Sequence, residues 1–378
     1  MPTMENSKYR KLLASLKSDI ENGKYGCGKP LPSVRALIRR HGLSNTTILH
    51  AIDELAHQGF VERRQGAGTF LSRRVHRKIG LIFPGVGYSE FYAEIAGAFS
   101  AIAQKNGYVL LLGDIKWSDS PDMVERTRAC IATLIEHGVC GVLYQPLKFL
   151  RNREKFNRDI LLPLRERNIP TVLLDTDFTA RPCRSDYDIV SLDNIGAGAI
   201  VAAHMLERGA RNICFHMRRY RLPSVLDRYR GVVLHKLESP LSMKRRDDLL
   251  VCEPDNHASI LRFMRTRPVP DAFVCENDAD AAEFIKSLNV IGYAVPDDVM
   301  VAGFDDVRIA ELLNPSLTSI HQPCEKIAES AFHRLVERLA NPDLAGTAIL
   351  LPPSLKVRES TNKIINKGKR KRNEHESS

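Results

Sequence analysis

Arg35, Arg39, Arg40, Arg63 and Arg64 fall within thirty residues that also hold Asn45, Thr46 and Thr47. Guanidinium forks match phosphate oxygens, and amide and hydroxyl groups match the edges of bases, so the chemistry on offer is contact with a polyanion. The first 77 residues carry a net charge of +8 and the stretch from Asn362 onward +4, which leaves −2 for the middle of a chain whose total is +10. Charge gathered on one small domain is the electrostatic footprint of phosphate binding; an ordinary small helical domain would not need it.

The elements that must position these groups lie in LPSVRALIRRHGLSNTTILHAIDELAHQGFVERRQGAGTF, residues 31–70. Ser33 is placed to N-cap a helix over 34–41, Gly42 supplies a turn, and Ser44 caps a second helix that Gly59 ends. On that second helix Ile48, Ala51, Ile52 and Leu55 recur at helical spacing, so one stripe is buried. Asn45, Thr46, Leu49 and Asp53 then face outward, where a major groove could receive them. Residues 60–64 and 69–73 are two short runs joined by Gln-Gly-Ala-Gly, a hairpin tip. An amphipathic helix over 9–22, apolar at Leu12, Leu13, Leu16 and Ile20, packs beneath. Two capped helices followed by a hairpin make a winged helix-turn-helix. Ser72 to Lys78 then reads as a charged linker, too short for a hinge helix.

The same stretch resembles the GntR-type winged helix through its Leu-Pro-Ser-x-Arg start, its Ser-x-x-Thr recognition-helix start and its Gly-x-Gly-Thr-Phe wing. The resemblance implies that Ser33, Arg35, Ser44 and Thr47 contact phosphate or bases, and that Gly66 and Gly68 let the wing approach the backbone beside Arg63. This chain departs from the family at Asn45 and Leu49, where the family places arginines, so a different operator is expected.

At 378 residues, two or three domains are expected. Hydrophobic content of 43% and charge of 26% are ordinary for a globular chain, and no run approaches the roughly 18 apolar residues of a membrane span. The start MPTMENSKYRKLL has no apolar core of a signal peptide, so a cytoplasmic location is expected. The 8 cysteines form no CxxC pair, which points to buried thiols rather than a metal site. No nucleophile elbow or phosphate-binding loop occurs, and GAGT and NIGAGA lack the strand-turn-helix setting of a dinucleotide site. Neither catalysis nor a cofactor is expected.

From Lys78 apolar runs alternate with helical stretches, the pattern of a doubly wound parallel α/β sheet. KIGLIF, YVLLL, VCGVLY and PTVLL read as four strands, with helices near 91–106, 121–137 and 158–168. A second half follows with IVSL, NICFH, DLLVC, AFVC and VMVAG, separated by helices near 195–208, 228–237, 258–267 and 279–288. Ligands of such sheets sit beyond the carboxyl ends of the strands, so two facing halves would form a cleft.

DNIGAGAIVAAHMLERGARNICF, DRYRGVVLHKL, VPDAFVCENDADAAEFIKSLNVIGYAVPDDVMVAGFDDVRIAELLNPSLTSIHQP and LPPSLKVRES resemble the effector domain of LacI-type repressors, itself similar to periplasmic sugar-binding proteins. A GntR-type winged helix joined to such a domain is the arrangement of AraR-type arabinose repressors. The resemblance implies a DNA-binding domain over 7–75 and a two-lobed effector and dimerisation domain over 76–361 with crossings near 320–323 and 347; the polar, charged and aperiodic stretch over 362–378 reads as a disordered basic tail. It also implies effector contacts at Phe91, Tyr92, Arg228, Asn277, Asp278, Asp305 and Gln322. Arg228 would open its helix, and the others would lie at or just beyond strand ends. Gln145, Lys148, His216 and Trp117 rest on position alone. Of these acids Asp278 and Asp306 read first as helix caps alone, and Asp193 and Asn194 could likewise do no more than shape a turn. Planar polar groups and a flat ring suit a sugar. The expectation is a homodimeric repressor of operator DNA responding to a monosaccharide such as L-arabinose, with a purine or nucleoside as the alternative. A pyridoxal-phosphate enzyme fusion lacks any resembling stretch, and a transport receptor is opposed by the basic winged helix.

Overall fold

The computed structural model describes residues 4–21, 25, 30–58, 60–64, 68–71, 77–84, 87, 89–115, 122–148, 152–220, 222–241 and 249–362. The expected tail beyond Asn362, the wing tip with Gly66, and Trp117 lie outside these residues.

The N-terminal elements are helices α1 (Met4–Glu21), α2 (Val34–His41) and α3 (Asn45–His57), then strands β1 (Val61–Arg64) and β2 (Gly68–Leu71). Ser33 Oγ accepts the Ala36 N–H at 3.3 Å, and α2 stops at Gly42, whose φ of 62° suits glycine. Leu12, Leu16 and Ile20 of α1 share a core with Ile48, Ala51, Ile52 and Leu55 of α3, so each predicted stripe faces the other. β1 and β2 pair antiparallel from Val61↔Leu71 to Arg64↔Gly68, and residues 72 and 73 of the second predicted run lie outside the described residues.

The following elements are β3 (Arg77–Pro84), α4 (Glu90–Lys105), β4 (Tyr108–Ile115), α5 (Asp122–Glu136), β5 (Val139–Tyr144), α6 (Arg153–Glu166), β6 (Thr171–Leu174) and β7 (Asp188–Leu192). Then come α7 (Asn194–Glu207), β8 (Ile213–Met217), α8 (Pro223–Glu238), β9 (Leu249–Val251), α9 (His257–Arg265), β10 (Ala272–Cys275), α10 (Asp278–Val290), β11 (Met300–Asp305), α11 (Arg308–Leu312) and β12 (Thr318–His321). The chain closes with α12 (Cys324–Ala340), β13 (Ala348–Leu351) and β14 (Ser354–Lys356). One six-stranded sheet has the order β13-β7-β6-β5-β3-β4, the other β14-β12-β11-β10-β8-β9.

The chain divides into two compact units, residues 1–191 with 324–349 and residues 192–323 with 350–378. The IVSL run belongs to the first sheet, where β7 pairs parallel with β6 through Val172↔Asp188, because an apolar run carries no record of which neighbour it will pair with. Arg77 and Lys78 are not linker: they open β3 opposite Tyr108 and Val109. Pro223 starts α8 five residues before the predicted helix, so Arg228 sits in its second turn instead of opening it.

In the first unit α12 packs on α4 and β5: Phe332 meets Tyr108 edge-on at 5.2 Å, and a Cβ on Gly141 would lie 2.9 Å from Leu335. In the second unit two apolar layers sandwich the sheet, one around Val201, Phe215 and Phe304, the other around Phe273, Phe284 and Leu288.

Candidate functional site

The first surface is built by the caps of α3. Ser44 Oγ accepts the Thr47 N–H at 3.2 Å and lies 2.7 Å from Thr47 Oγ1, fixing the first turn. Asn45 and Thr46 are thereby left exposed, with Leu49 half-buried one turn on. Ser33 and Arg35 are exposed at the start of α2. Arg63 of the wing pairs with Asp53 of α3 at 2.8 Å, which ties the hairpin to the helix it flanks. Arg64 lies over the Phe70 ring at 4.6 Å and pairs with Glu62. Gly68 has φ of 111° with open space where a side chain would project, so its backbone, not its neighbours, demands glycine. Ser33, Arg35, Asn45, Thr46, Arg63 and Arg64 are all exposed.

In the first unit a polar cluster stands beyond β5 and β6. Asn157 of α6 receives the Tyr144 hydroxyl at 2.6 Å and holds Leu147 by both its N–H, at 2.8 Å, and its carbonyl, at 3.0 Å. That clamp fixes the loop carrying Gln145 and Lys148. Gln145 Nε2 donates to Tyr92 Oη at 3.2 Å and to Asp175 Oδ2 at 3.1 Å, and Lys148 Nζ pairs with the same Asp175 oxygen. Tyr92 stacks on Phe83 at 5.6 Å, with Phe91 edge-on to it at 5.3 Å. Sequence reasoning missed Asp175, although as the first residue after β6 it occupies the strand-end position used to select other acids.

In the second unit Arg228 is 5% exposed and fully directed. Its Nε donates to Asn194 Oδ1 at 2.9 Å and Nη1 to the Glu276 carbonyl at 2.6 Å, while Nη2 stands 3.6 Å from Asp305 Oδ1. The guanidinium lies over the Phe304 ring at 4.5 Å. Gln322 Nε2 donates to the same Asp305 oxygen at 2.6 Å. Asn194, read from sequence as shaping a turn, is therefore part of this cluster.

Three predicted positions have other duties. Asn277 Oδ1 accepts the Asp280 N–H at 2.8 Å and caps α10. Asp278 has no exposed surface: it accepts from Ser319 Oγ at 2.6 Å and Val307 N–H at 3.1 Å, while burial and then nearby Asp305 push its carboxyl well above the usual range. His216 is wholly buried, stacked on Phe284 at 4.6 Å, and burial lowers its pKa to about 4, so it belongs to the core.

Among the described residues no group of three or more His, Cys, Asp or Glu side chains could hold a metal ion, and no helix is long and apolar enough to cross a membrane.

Residues 8–71 match the family model of bacterial regulatory proteins of the gntR family, and residues 202–361 that of a periplasmic binding protein-like domain. The chain therefore joins a gntR-family domain at residues 8–71 to a periplasmic binding protein-like domain at residues 202–361. The chain is 27% identical over 371 residues to the arabinose metabolism transcriptional repressor of Geobacillus stearothermophilus, covering 94% of this chain and 98% of that one. It is also 27% identical over 354 residues to the HTH-type transcriptional repressor PurR of Erwinia tasmaniensis, covering 87% and 97%. The structure of a transcriptional regulator CelR-cellobiose complex shares its fold, with a TM-score of 0.63 at 23% identity over 95% of this chain and 100% of that chain. These families and relatives are transcriptional regulators rather than enzymes, and this regulator binds DNA.

Proposed function

We propose that this regulator is a sugar-responsive repressor, acting in the cytoplasm as a homodimer on operator DNA, with L-arabinose or a similar pentose as effector. Residues 7–75 would bind DNA and residues 76–361 the effector. The observation that carries the reading is the convergence of Arg228, Gln322 and Asp305 beside the Phe304 ring. A carboxylate accepts from two adjacent hydroxyls while a guanidinium and an amide donate to them, which is the complement of a polyol. Tyr92, Gln145, Lys148 and Asp175 offer a second set of the same chemistry in the first unit. The name of the Geobacillus stearothermophilus relative favours arabinose. A purine or nucleoside is the second reading, favoured by the stacked Phe83 and Tyr92 rings.

A thermal-shift screen of L-arabinose, other monosaccharides, purines and nucleosides tests this directly. Ligand at a hundred times its Kd adds roughly 2.7 kcal/mol of stability. A shift with a monosaccharide that Arg228→Ala and Asp305→Ala both abolish, while operator binding without sugar persists, is expected. A shift confined to purines would transfer the site to the second reading.

A further inference from the structure

Asp305, the last residue of β11, and Asp306 just after it are consecutive non-glycine residues with positive φ, 108° and 55°. Such a pair persists only where its surroundings over-determine it. The turn is held from beneath and from the side. The Asp306 N–H donates to Ser319 Oγ at 3.0 Å, Ser319 Oγ donates to buried Asp278, and the Val307 N–H donates to the other Asp278 oxygen. The Asp306 carboxylate takes Arg358 Nη2 at 2.7 Å and His321 Nδ1 at 3.0 Å. Arg358 is itself immobilised: its N–H donates to Thr318 Oγ1 at 2.8 Å, Nη1 to the Leu317 carbonyl at 2.9 Å, and Nη2 also to Glu311 at 3.0 Å.

We propose that Arg358, with His321, is a positioning residue for the effector: by gripping Asp306 it keeps the Asp305–Asp306 turn left-handed and so aims the Asp305 carboxylate at Arg228 and Gln322. The proposal rests on the reading of Asp305 as an effector contact. Asp278, too buried to touch a ligand, supplies the floor of the same device. Without the grip the turn relaxes toward negative φ, and because Asp305 and Asp306 share a peptide plane, the Asp305 carboxylate turns with it. An effector then finds its acceptor correctly placed in only a fraction of molecules, and its apparent affinity falls by that fraction.

The test titrates L-arabinose, D-xylose and D-ribose by calorimetry into the full-length protein and its variants. The sugar that binds the unaltered protein should bind Arg358→Ala at least tenfold more weakly, and Arg358→Lys, which keeps the charge and a donor, should recover to within threefold. In an Asp305→Asn background Arg358→Ala should cost less than half as much on the logarithmic scale, since the group it aims has already been weakened. A merely structural Arg358 would weaken both backgrounds equally, and that result overturns the proposal, as does unchanged affinity in Arg358→Ala. If Arg358→Ala does not fold, Asp306→Asn keeps the shape and the tolerance for positive φ but removes the charge that Arg358 holds; it should lose severalfold in affinity, and no loss sinks the idea. If none of the three sugars binds the unaltered protein, the sugar reading fails first and this proposal with it.

Discussion

Gly198 of α7 and Gly231 of α8 stand against each other's backbone: a Cβ on Gly198 would lie 2.0 Å from the Arg228 carbonyl oxygen, and one on Gly231 2.0 Å from that of Ile195. The two helices touch with nothing between them, and the contact falls on the residue that carries the guanidinium of the site. Gly198→Ala or Gly231→Ala should therefore separate α8 from α7, destabilise the second unit by about 1 to 3 kcal/mol and weaken effector binding. Urea denaturation and sugar titration on each variant check both effects; a stability loss with unaltered sugar affinity would show that α8 shifts without moving Arg228.

Stability should depend on pH through His216. Its pKa is about 4 when buried against 6.5 when free, so the unfolded chain binds the extra proton first as pH falls. The contribution is complete above pH 6.5 and is eroded as pH falls toward 4, on the order of 3 kcal/mol in total. Glu276 works in the opposite sense, because burial and the Asp280 carboxylate push it up, so its contribution is lost as pH rises. Denaturation midpoints between pH 5 and 7 should fall less on acidification in His216→Phe than in the unaltered protein. In Glu276→Gln the alkaline decline should be smaller.

Asn45 and Leu49 should bias the operator toward A·T where they reach it. Asparagine suits the N6/N7 edge of adenine, and leucine can meet only an apolar feature such as the thymine methyl. Selection from a random DNA pool with the native protein and with Asn45→Arg should show one position per half-site move toward guanine, a discrimination of roughly 1 to 3 kcal/mol. An unchanged preference would mean that Thr46, His50 or the wing reads the bases instead.

Arg35 is exposed in the first turn of α2. Arg35→Ala should weaken specific and random DNA alike and flatten the salt dependence by about one counterion. The Arg63–Asp53 pair is half-exposed and so contributes about 1 kcal/mol at most. Asp53→Ala should leave stability nearly unaltered and tighten binding to random duplexes by releasing Arg63 to phosphate, measured by fluorescence anisotropy at two salt concentrations.

The DNA-reading unit was legible because its signals are local: Ser33, Ser44 and Gly42 announce caps, and the Ile48 to Leu55 stripe announces a buried face. The strands are legible as apolar runs but their neighbours are not, so IVSL reads as part of the second half although β7 pairs with β6 in the first sheet. Side-chain partners at the site were hidden for the same reason. Nothing local distinguishes Asn277, a cap, from Asn194, which grips Arg228 thirty-four positions away, or tells that Asp278 faces inward while Asp305 stands at the strand end. Gly198 and Gly231 were visible only as small residues, since a close helix crossing leaves no pattern in either helix alone.

The division of the first unit between residues 1–191 and 324–349 has a consequence for synthesis. The lobe that leaves the ribosome first cannot be completed until α12 arrives, because Phe332 and Leu335 cover Tyr108 and Gly141. The 132 intervening residues, 192–323, take roughly 7 to 26 s at ordinary elongation rates. Throughout that interval the early sheet lacks the cover of α12, and by its end the second lobe has all of its strands but β14. A nascent chain stalled after residue 323 should therefore be captured by chaperones through its first lobe, and the last third of the message governs whether the first third folds.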